Sequence, residues 1–427
     1  LSPPSPIRPT TGNEREPILD VLRGFALLGI QLVNIALMRG PELYTLLAGE
    51  IPDPSEGIDR IVNGAVSWLA TGKFVSSFSL LFGVGAGLIV GRALAAGRSP
   101  HGLLARRYVW LLAFGLAHMI LLFPGDILFV YGITGMVLLA FINVQPRTAV
   151  WISVALIASV TAITVGFTAL SAVFGDVQAQ GASGDPFTAA FEGFFAARQE
   201  QAISAFSEGS YLDVIVANAW QSLLVQSGQL FVLPWILGLF LLGFAVTRAG
   251  IPLRLAEHRP LLRRAALLGL GIGLPLNATM GLVDPLSLIA GGPDASVGTG
   301  MLVLITFAQQ AGAPVLAIGY LSALALLCLR IGPIRPLAAV GRMALTAYLL
   351  QSLLALIVFA GFDRYGQLSS AEAMLVVVGI WTILLVACPL WLRFFRFGPA
   401  EWLWRSLTYG ARQPLRRRSL PAASPTD

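Results

Sequence analysis

The stretch Asp20-Val-Leu-Arg23-Gly-Phe-Ala-Leu-Leu-Gly-Ile-Gln31-Leu-Val-Asn34 is apolar enough to cross a bilayer, yet it carries polar side chains at Asp20, Arg23, Gln31 and Asn34. A helix turns about 100° per residue, so a step of eleven residues returns close to the same face. Arg23 and Asn34 are eleven apart, and so are Asp20 and Gln31. The four fall in one stripe roughly 80° wide, with Arg23 and Asn34 about 16 Å apart along the axis. Charged groups in hydrocarbon are costly and face a bundle interior or a wet cavity. The stretch therefore predicts a membrane helix that lines a site.

Composition extends that reading to the whole chain. It is 56% hydrophobic and 12% charged, with mean hydropathy +0.77, whereas a soluble domain is about one-quarter charged. Apolar runs long enough to span fall at about 18–38, 66–91, 107–123, 127–143, 150–174, 225–247, 265–282, 301–328, 343–361 and 373–392. The expected fold is all-α, a polytopic bundle of about ten spans. Cys328 and Cys388 both lie in apolar runs, which implies neither a disulfide framework nor a thiolate metal site. Three histidines (His101, His118, His258) argue against a histidine-rich metal cluster. The net charge of +6 does not point to nucleic acid, because the basic residues collect in the loops of one side, as membrane topology requires.

With both termini in the cytoplasm, that side holds Arg8, Arg15, Arg92, Arg98, Arg106, Arg107, Arg147, the cluster Arg248 to Arg264, Arg330, Arg335, Arg342 and the arginine-rich C-terminus. The other side holds Arg39, Arg60, Arg198 and Arg364 and most of the acids, including Glu42, Glu50, Asp53, Glu56 and Asp59. This bias sets the orientation. The tail before the first span (residues 1–16) has no basic n-region or small-residue cleavage site, so the first span is expected to be a retained helix. The organisation expected is a cytoplasmic tail (1–16), an N-terminal helical half (17–174), an external, partly helical segment (175–224), a C-terminal helical half (225–410) and a basic tail (411–427). Residues 61–91 are too long for one straight span and are interrupted at Thr71-Gly72-Lys73. That suggests either an interfacial helix before a span or a broken helix lining a cavity.

His118 lies within the third span, and Arg107 is eleven residues earlier on the same face. The first and third spans thus share one arrangement: an arginine near the cytoplasm, and a hydrogen-bonding side chain nearer the outside. His118 is either an interhelical hydrogen-bonder or a proton acceptor in a reaction. Pro124-Gly125-Asp126 turns the chain back, so Asp126 either caps the next helix or orients His118; the two roles are compatible. Among 28 basic residues Lys73 is the one lysine; it either holds an anion or snorkels. Tyr348, Gln351 and Ser352 share a helix face, for interhelical bonding or for substrate. Gly83-Val-Gly85-Ala-Gly87 reads as close helix packing and not as a nucleotide loop. The segment from Gly398 to Gly410, with Glu401 and Arg405 at i and i+4, reads as a structural interfacial helix.

These motifs together resemble the YeiB-like family of bacterial membrane proteins, whose C-terminal part is classed as a domain of unknown function. The resemblance rests on Leu19-Asp-Val-Leu-Arg-Gly-Phe-Ala-Leu-Leu-Gly-Ile, Gly72-Lys73-Phe with Phe78-Ser-Leu-Leu-Phe82-Gly, and His118 with Gly125-Asp126-Ile-Leu. It continues in Gly341-Arg-Met-Ala-Leu-Thr-Ala-Tyr348-Leu-Leu-Gln351-Ser and Gly398-Pro-Ala-Glu-Trp-Leu-Trp-Arg. The family is similar to a wider group of transmembrane acyltransferases, which includes the heparan-glucosaminide acetyltransferase and bacterial enzymes that O-acylate surface sugars. The O-acylating branch carries Arg-x10-His in its first helix; here Arg23 keeps the spacing and Asn34 takes the histidine's place. The glucosaminide enzyme resembles this chain in having asparagine there, and it uses a histidine shortly downstream as its base. This chain has no histidine between Asn34 and His101, which leaves His118 as the substitute.

The resemblance implies an acyltransferase that carries an acyl group from a cytoplasmic donor to a hydroxyl or amine acceptor outside. Acyl-CoA is the expected co-substrate, with no tightly bound cofactor and no metal. His118, Asn34 and Asp126 are the expected catalytic residues. Arg23, Arg106, Arg107, Arg263 and Arg264 are the expected phosphate holders, and Asp20, Gln31, Lys73, Tyr348, Gln351 and Ser352 complete the substrate-binding set. Membrane lipids, the donor and the acceptor are the expected partners, nucleic acid is not, and pairing into a homodimer is left open. Two rival readings stand beside this one: a secondary transporter of a small anionic or lipidic molecule, and a lipid-binding membrane protein without turnover.

Overall fold

The computed structural model describes residues 16–47, 56–182, 186–283 and 298–417. Most of both expected tails, and the acids Glu50 and Asp53, lie outside these residues. Seventeen α-helices are described: α1 (Pro17–Met38), α2 (Glu42–Leu47), α3 (Gly57–Leu69), α4 (Lys73–Ala95), α5 (His101–Leu121), α6 (Leu128–Leu138), α7 (Pro146–Ala182), α8 (Pro186–Ser207), α9 (Tyr211–Phe231), α10 (Leu233–Arg248), α11 (Arg259–Ala278), α12 (Thr299–Phe307), α13 (Ala313–Ile331), α14 (Arg335–Arg342), α15 (Ala344–Leu356), α16 (Ser370–Phe394) and α17 (Pro399–Tyr409). No β-strand occurs among the described residues; one isolated bridge pairs Phe395 with Arg416.

Among the described residues, eight helical elements are long and apolar enough to cross a membrane, and a ninth crossing is made if α9 and α10 are joined across their 60° bend. The chain is a multi-pass membrane protein of helical architecture. The apolar segment Leu128–Phe141, expected as a full span, is one of the shorter helices. The largest difference from expectation lies in the sixth span. It begins at Tyr211, inside the segment expected to be external, and breaks at Val232. Pro234 supplies the cause: at the start of α10 it lacks an N–H and its ring crowds the carbonyl four residues back. At Thr71-Gly72-Lys73, Gly72 has a left-handed φ of 82°, which glycine adopts without a Cβ penalty. The chain breaks there, but α3 and α4 still form one apolar element over Gly57–Ala95.

Burial separates the centre of the bundle from its rim. In α1, 67% of the membrane-length window is buried, against 17% for α7, so the helix with the polar stripe is central and α7 faces lipid. Helix α1 packs on α14, α4, α16 and α15. The pair α4–α10 is held tightly because Gly83 and Gly87, one turn apart, lie against the Phe240 carbonyl and the Thr247 side chain. A side chain at either position would force these helices apart. Gly85, on the other face, borders open space instead. Beside this contact Phe82 stacks on Phe240 at 4.7 Å and meets Tyr131 edge-on at 5.3 Å, which fixes α4, α6 and α10 around a common aromatic centre.

Candidate functional site

His118 sits in the last turn of α5, and the chain leaves that helix by a tight turn to Asp126. Gly115 lets this turn close: a Cβ there would strike the Phe129 backbone nitrogen and Asp126 Oδ2. Closure brings Asp126 Oδ1 to 2.7 Å from His118 Nδ1, while Asp126 Oδ2 accepts the Phe129 N–H at 2.7 Å in the first turn of α6. Both roles read from the sequence are thus filled at once, one by each carboxylate oxygen. A carboxylate only accepts, so Nδ1 carries the imidazole proton and Nε2 is left for a second partner. That partner is Ser352 Oγ, at 2.9 Å.

The three side chains form a continuous line, Asp126–His118–Ser352, drawn from the α5–α6 turn, α5 and α15. All three are at most 2% exposed. The network is thus fully desolvated, which raises the weight of each hydrogen bond in it. Tyr348, one turn before Ser352 on α15, lays its ring 4.8 Å from the imidazole. Its hydroxyl accepts the Ile127 N–H at 3.4 Å, and the side chain of Asn34 lies beside it. Tyr348 therefore joins the far end of the α1 stripe to the histidine.

A cavity of about 730 Å³ runs from one end of the bundle towards this cluster, within the roughly 300–1,000 Å³ range of small-molecule sites. Its mouth is set with Arg23, Arg92, Arg107, Arg248, Arg342 and Arg405, which outnumber the acids Glu16, Asp20 and Glu401 in the same lining. Its walls are apolar, with Leu27, Ile30, Phe78, Phe82 and Leu111, and its inner lining includes Tyr131, Ile127 and Tyr348. Of these, Tyr348 packs on the His118 ring, and Ile127 follows Asp126 in the chain. The space therefore has a cationic rim, a greasy barrel and a polar floor, the profile of an anionic amphiphile. Tyr131 is tied at the floor to Ser79 by a 2.6 Å hydroxyl contact.

Helix α17 completes the mouth. Trp404 donates to the Arg107 carbonyl at 2.9 Å, and the Arg107 guanidinium stacks 3.6 Å from the centroid of the Trp404 ring. The Glu401 carboxylate accepts from Leu345 N, Thr346 N and Thr346 Oγ1, and so satisfies the open N-terminus of α15. Burial pushes this carboxyl above its ordinary range, against the opposing pull of the Thr346 hydrogen bonds. The segment read as purely structural thus anchors the helix that bears Tyr348 and Ser352, and also walls the cavity.

The structure sorts the residues singled out in the sequence. His118, Asp126, Ser352, Tyr348 and Asn34 come together, and Asp20, Arg23 and Arg107 line the cavity. Arg23 is held by Asp20 at 2.9 Å. Gln31 and Gln351 are fully buried, each with an amide oxygen that has no hydrogen-bond partner. Arg106, Arg263 and Arg264 are exposed and do not line the cavity, because they lie on other faces of α5 and α11. Lys73 is fully buried away from the cavity, with its ammonium on the Ser67 carbonyl at 3.0 Å and on Met280 Sδ at 3.1 Å.

Two groups were missed in the sequence. The mouth arginines Arg92, Arg248, Arg342 and Arg405 resemble topological anchors until the rotation of each helix is known. The second group is the polar face of α9, with Asn218, Gln221, Ser222 and Gln226 all buried. Gln226 donates to the Asp126 carbonyl at 2.8 Å and Ser222 to the Met119 carbonyl at 3.1 Å, so this face backs the histidine turn. Its i, i+4, i+8 spacing at 218, 222 and 226 was the signal that could have found it.

Comparison with known proteins gives relatives along the whole chain. The uncharacterized protein YxaH of Bacillus subtilis is 30% identical over 97% of this chain and 99% of its own length. The uncharacterized protein YeiB of Escherichia coli is 28% identical over 94% and 98%. An uncharacterized 39.9 kDa protein encoded in the amylase 3' region of Bacillus acidopullulyticus is 26% identical over 95% and 97%. Residues 246–411 match the family described as protein of unknown function DUF418. No solved structure matches. Similarity of this extent, from the first membrane helix to the helix at the cavity mouth, makes the chain a member of the YeiB-like family of membrane proteins.

Proposed function

We propose that the protein is a transmembrane acyltransferase of the bacterial inner membrane, with the arginine-lined mouth and both termini in the cytoplasm and the shorter helix α6 completing an even number of crossings. One observation carries the reading: the arginine-rimmed cavity has Tyr348 in its inner lining, and Tyr348 packs on the His118 ring while its hydroxyl takes the Ile127 N–H next to Asp126. An acyl-CoA would set its phosphates among the guanidinium groups and run its pantetheine arm down the apolar barrel. The thioester carbonyl would then arrive at the polar floor. There His118, oriented by Asp126, accepts a proton through Nε2, and Asn34 with the Tyr348 hydroxyl donates hydrogen bonds to the developing oxyanion. A hydroxyl or amine acceptor would approach from the opposite end of the bundle. The excess of arginine at the mouth supports this orientation, because cytoplasmic loops carry the Lys/Arg bias.

The test is acceptor acylation by purified protein in lipid nanodiscs with acyl-CoA donors of graded chain length. The double substitution Arg92→Gln with Arg342→Gln removes two rim charges without touching the histidine cluster. Removing one hydrogen bond to a charged phosphate costs about 1.5–3 kcal/mol, so KM for the donor is expected to rise about tenfold or more with kcat nearly unchanged. An unchanged KM would take the arginine rim out of donor binding.

A further inference from the structure

We propose that Ser352 is a nucleophile that carries the acyl group as a covalent ester between donor and acceptor. The proposal rests on the acyl-transfer reading and adds to it a chemical intermediate. Three observations lead to it. Ser352 Oγ occupies His118 Nε2, the ring nitrogen that Asp126 does not hold. With the proton fixed on Nδ1, Nε2 presents its lone pair and the serine hydroxyl donates to it, the arrangement that activates a serine for attack. In this structure Ser352 holds the position at Nε2 that an outside acceptor would need to reach.

The second observation is placement. Tyr348 lines the cavity, and Ser352 follows one turn later on the same face of α15, so the hydroxyl lies just past the cavity's inner lining. The third is burial: Ser352 is 1% exposed and His118 2%, so water, the competing acceptor, is kept from the site. A serine just beyond the cavity's inner end can receive the acyl group from the donor and hold it as an ester until an acceptor arrives. No continuous opening through the membrane is then required.

The steps balance. Ser352 Oγ attacks the thioester carbonyl as its proton passes to His118 Nε2. The tetrahedral oxyanion collapses, the C–S bond breaks, and the leaving thiolate takes the proton back from the imidazolium to give free CoA and acyl-Ser352. An acceptor hydroxyl then attacks the ester carbonyl while His118 removes its proton. The C–Oγ bond breaks and that proton returns to Ser352, leaving the acylated acceptor and the enzyme as it began.

The experiment uses full-length protein in nanodiscs, [14C]acetyl-CoA and alkyne-tagged myristoyl-CoA as donors, no acceptor, and peptide mass spectrometry after an acid quench. The expected result is a burst of free CoA approaching one per protein and an acyl mass on the peptide containing Ser352. The adduct is expected to be absent in Ser352→Ala and in His118→Ala. In Ser352→Cys it is expected as a thioester that neutral hydroxylamine cleaves, which also shows that the substituted protein is folded. Donor consumption without any adduct, with Ser352→Ala transferring to acceptor within threefold of wild type, would overturn the covalent step and leave His118 acting directly on the acceptor. If wild-type protein consumes neither donor, the acyl-transfer reading falls, and the serine ester falls with it.

Discussion

Replacing His118 by alanine is expected to lower acceptor acylation by about 10²–10⁴-fold, the range for loss of a general base. His118 contacts Asp126, Ser352 and Tyr348 together, so its removal breaks the hydrogen-bonded line from Asp126 to Ser352. Truncation also leaves Asp126 Oδ1 buried without its partner, which costs stability as well. His118→Gln separates these effects. Its amide can still donate towards Asp126 and keep the turn closed, but it cannot take up a proton. Both variants should therefore lose turnover, while thermal unfolding in detergent should show the alanine protein less stable than the glutamine protein. Turnover within a few-fold of wild type in the glutamine variant would remove His118 from the chemistry.

Asp126→Asn is expected to have a second large effect, and through a different cause. Each oxygen of Asp126 accepts one hydrogen bond, from His118 Nδ1 and from the Phe129 N–H. Asparagine offers a single acceptor. If its oxygen faces His118, its NH2 opposes the Phe129 N–H, leaving a buried donor unpaired at about 1–3 kcal/mol. If its oxygen faces Phe129, its NH2 opposes Nδ1–H, and the imidazole must change tautomer and turn a proton towards Ser352. In a known hydrolase the same substitution lowers turnover about 10⁴-fold through the wrong tautomer. A loss of about 10²–10⁴ in kcat is expected here, with the donor KM little changed because the mouth is untouched. Equal kcat for Asp126→Asn and wild type would show that the carboxylate acts only as a helix cap.

The elements legible in the sequence were those that a local pattern specifies. The polar stripe of α1 follows from helical period alone, and its placement at the centre of the bundle follows from the cost of Arg23 in lipid. The His118–Asp126 contact was readable because the two residues are joined by a short turn. Ser352 is 234 positions from His118, and nothing local indicates that α15 would lay it on Nε2. The same limit explains the arginines. Arg106 and Arg107 are adjacent in sequence, yet one lies outside and the other lines the cavity, a matter of about 100° of rotation that tertiary packing decides. The bend at Val232 hid α9 because its polar residues read as an external loop when counted by hydropathy, although they face inward against the histidine turn.

In the proposed function one hollow leads from the arginine mouth to Tyr348, which packs on His118, and holds the donor along its length. A cryo-EM structure with a non-transferable thioether analogue of myristoyl-CoA bound in nanodiscs tests it most directly. Density for the phosphates is expected among Arg23, Arg92, Arg107 and Arg342, with the thioether carbon beside Tyr348 and within reach of Ser352. Density that lies outside this cavity, or a chain that runs into lipid between helices without approaching Tyr348, would contradict it.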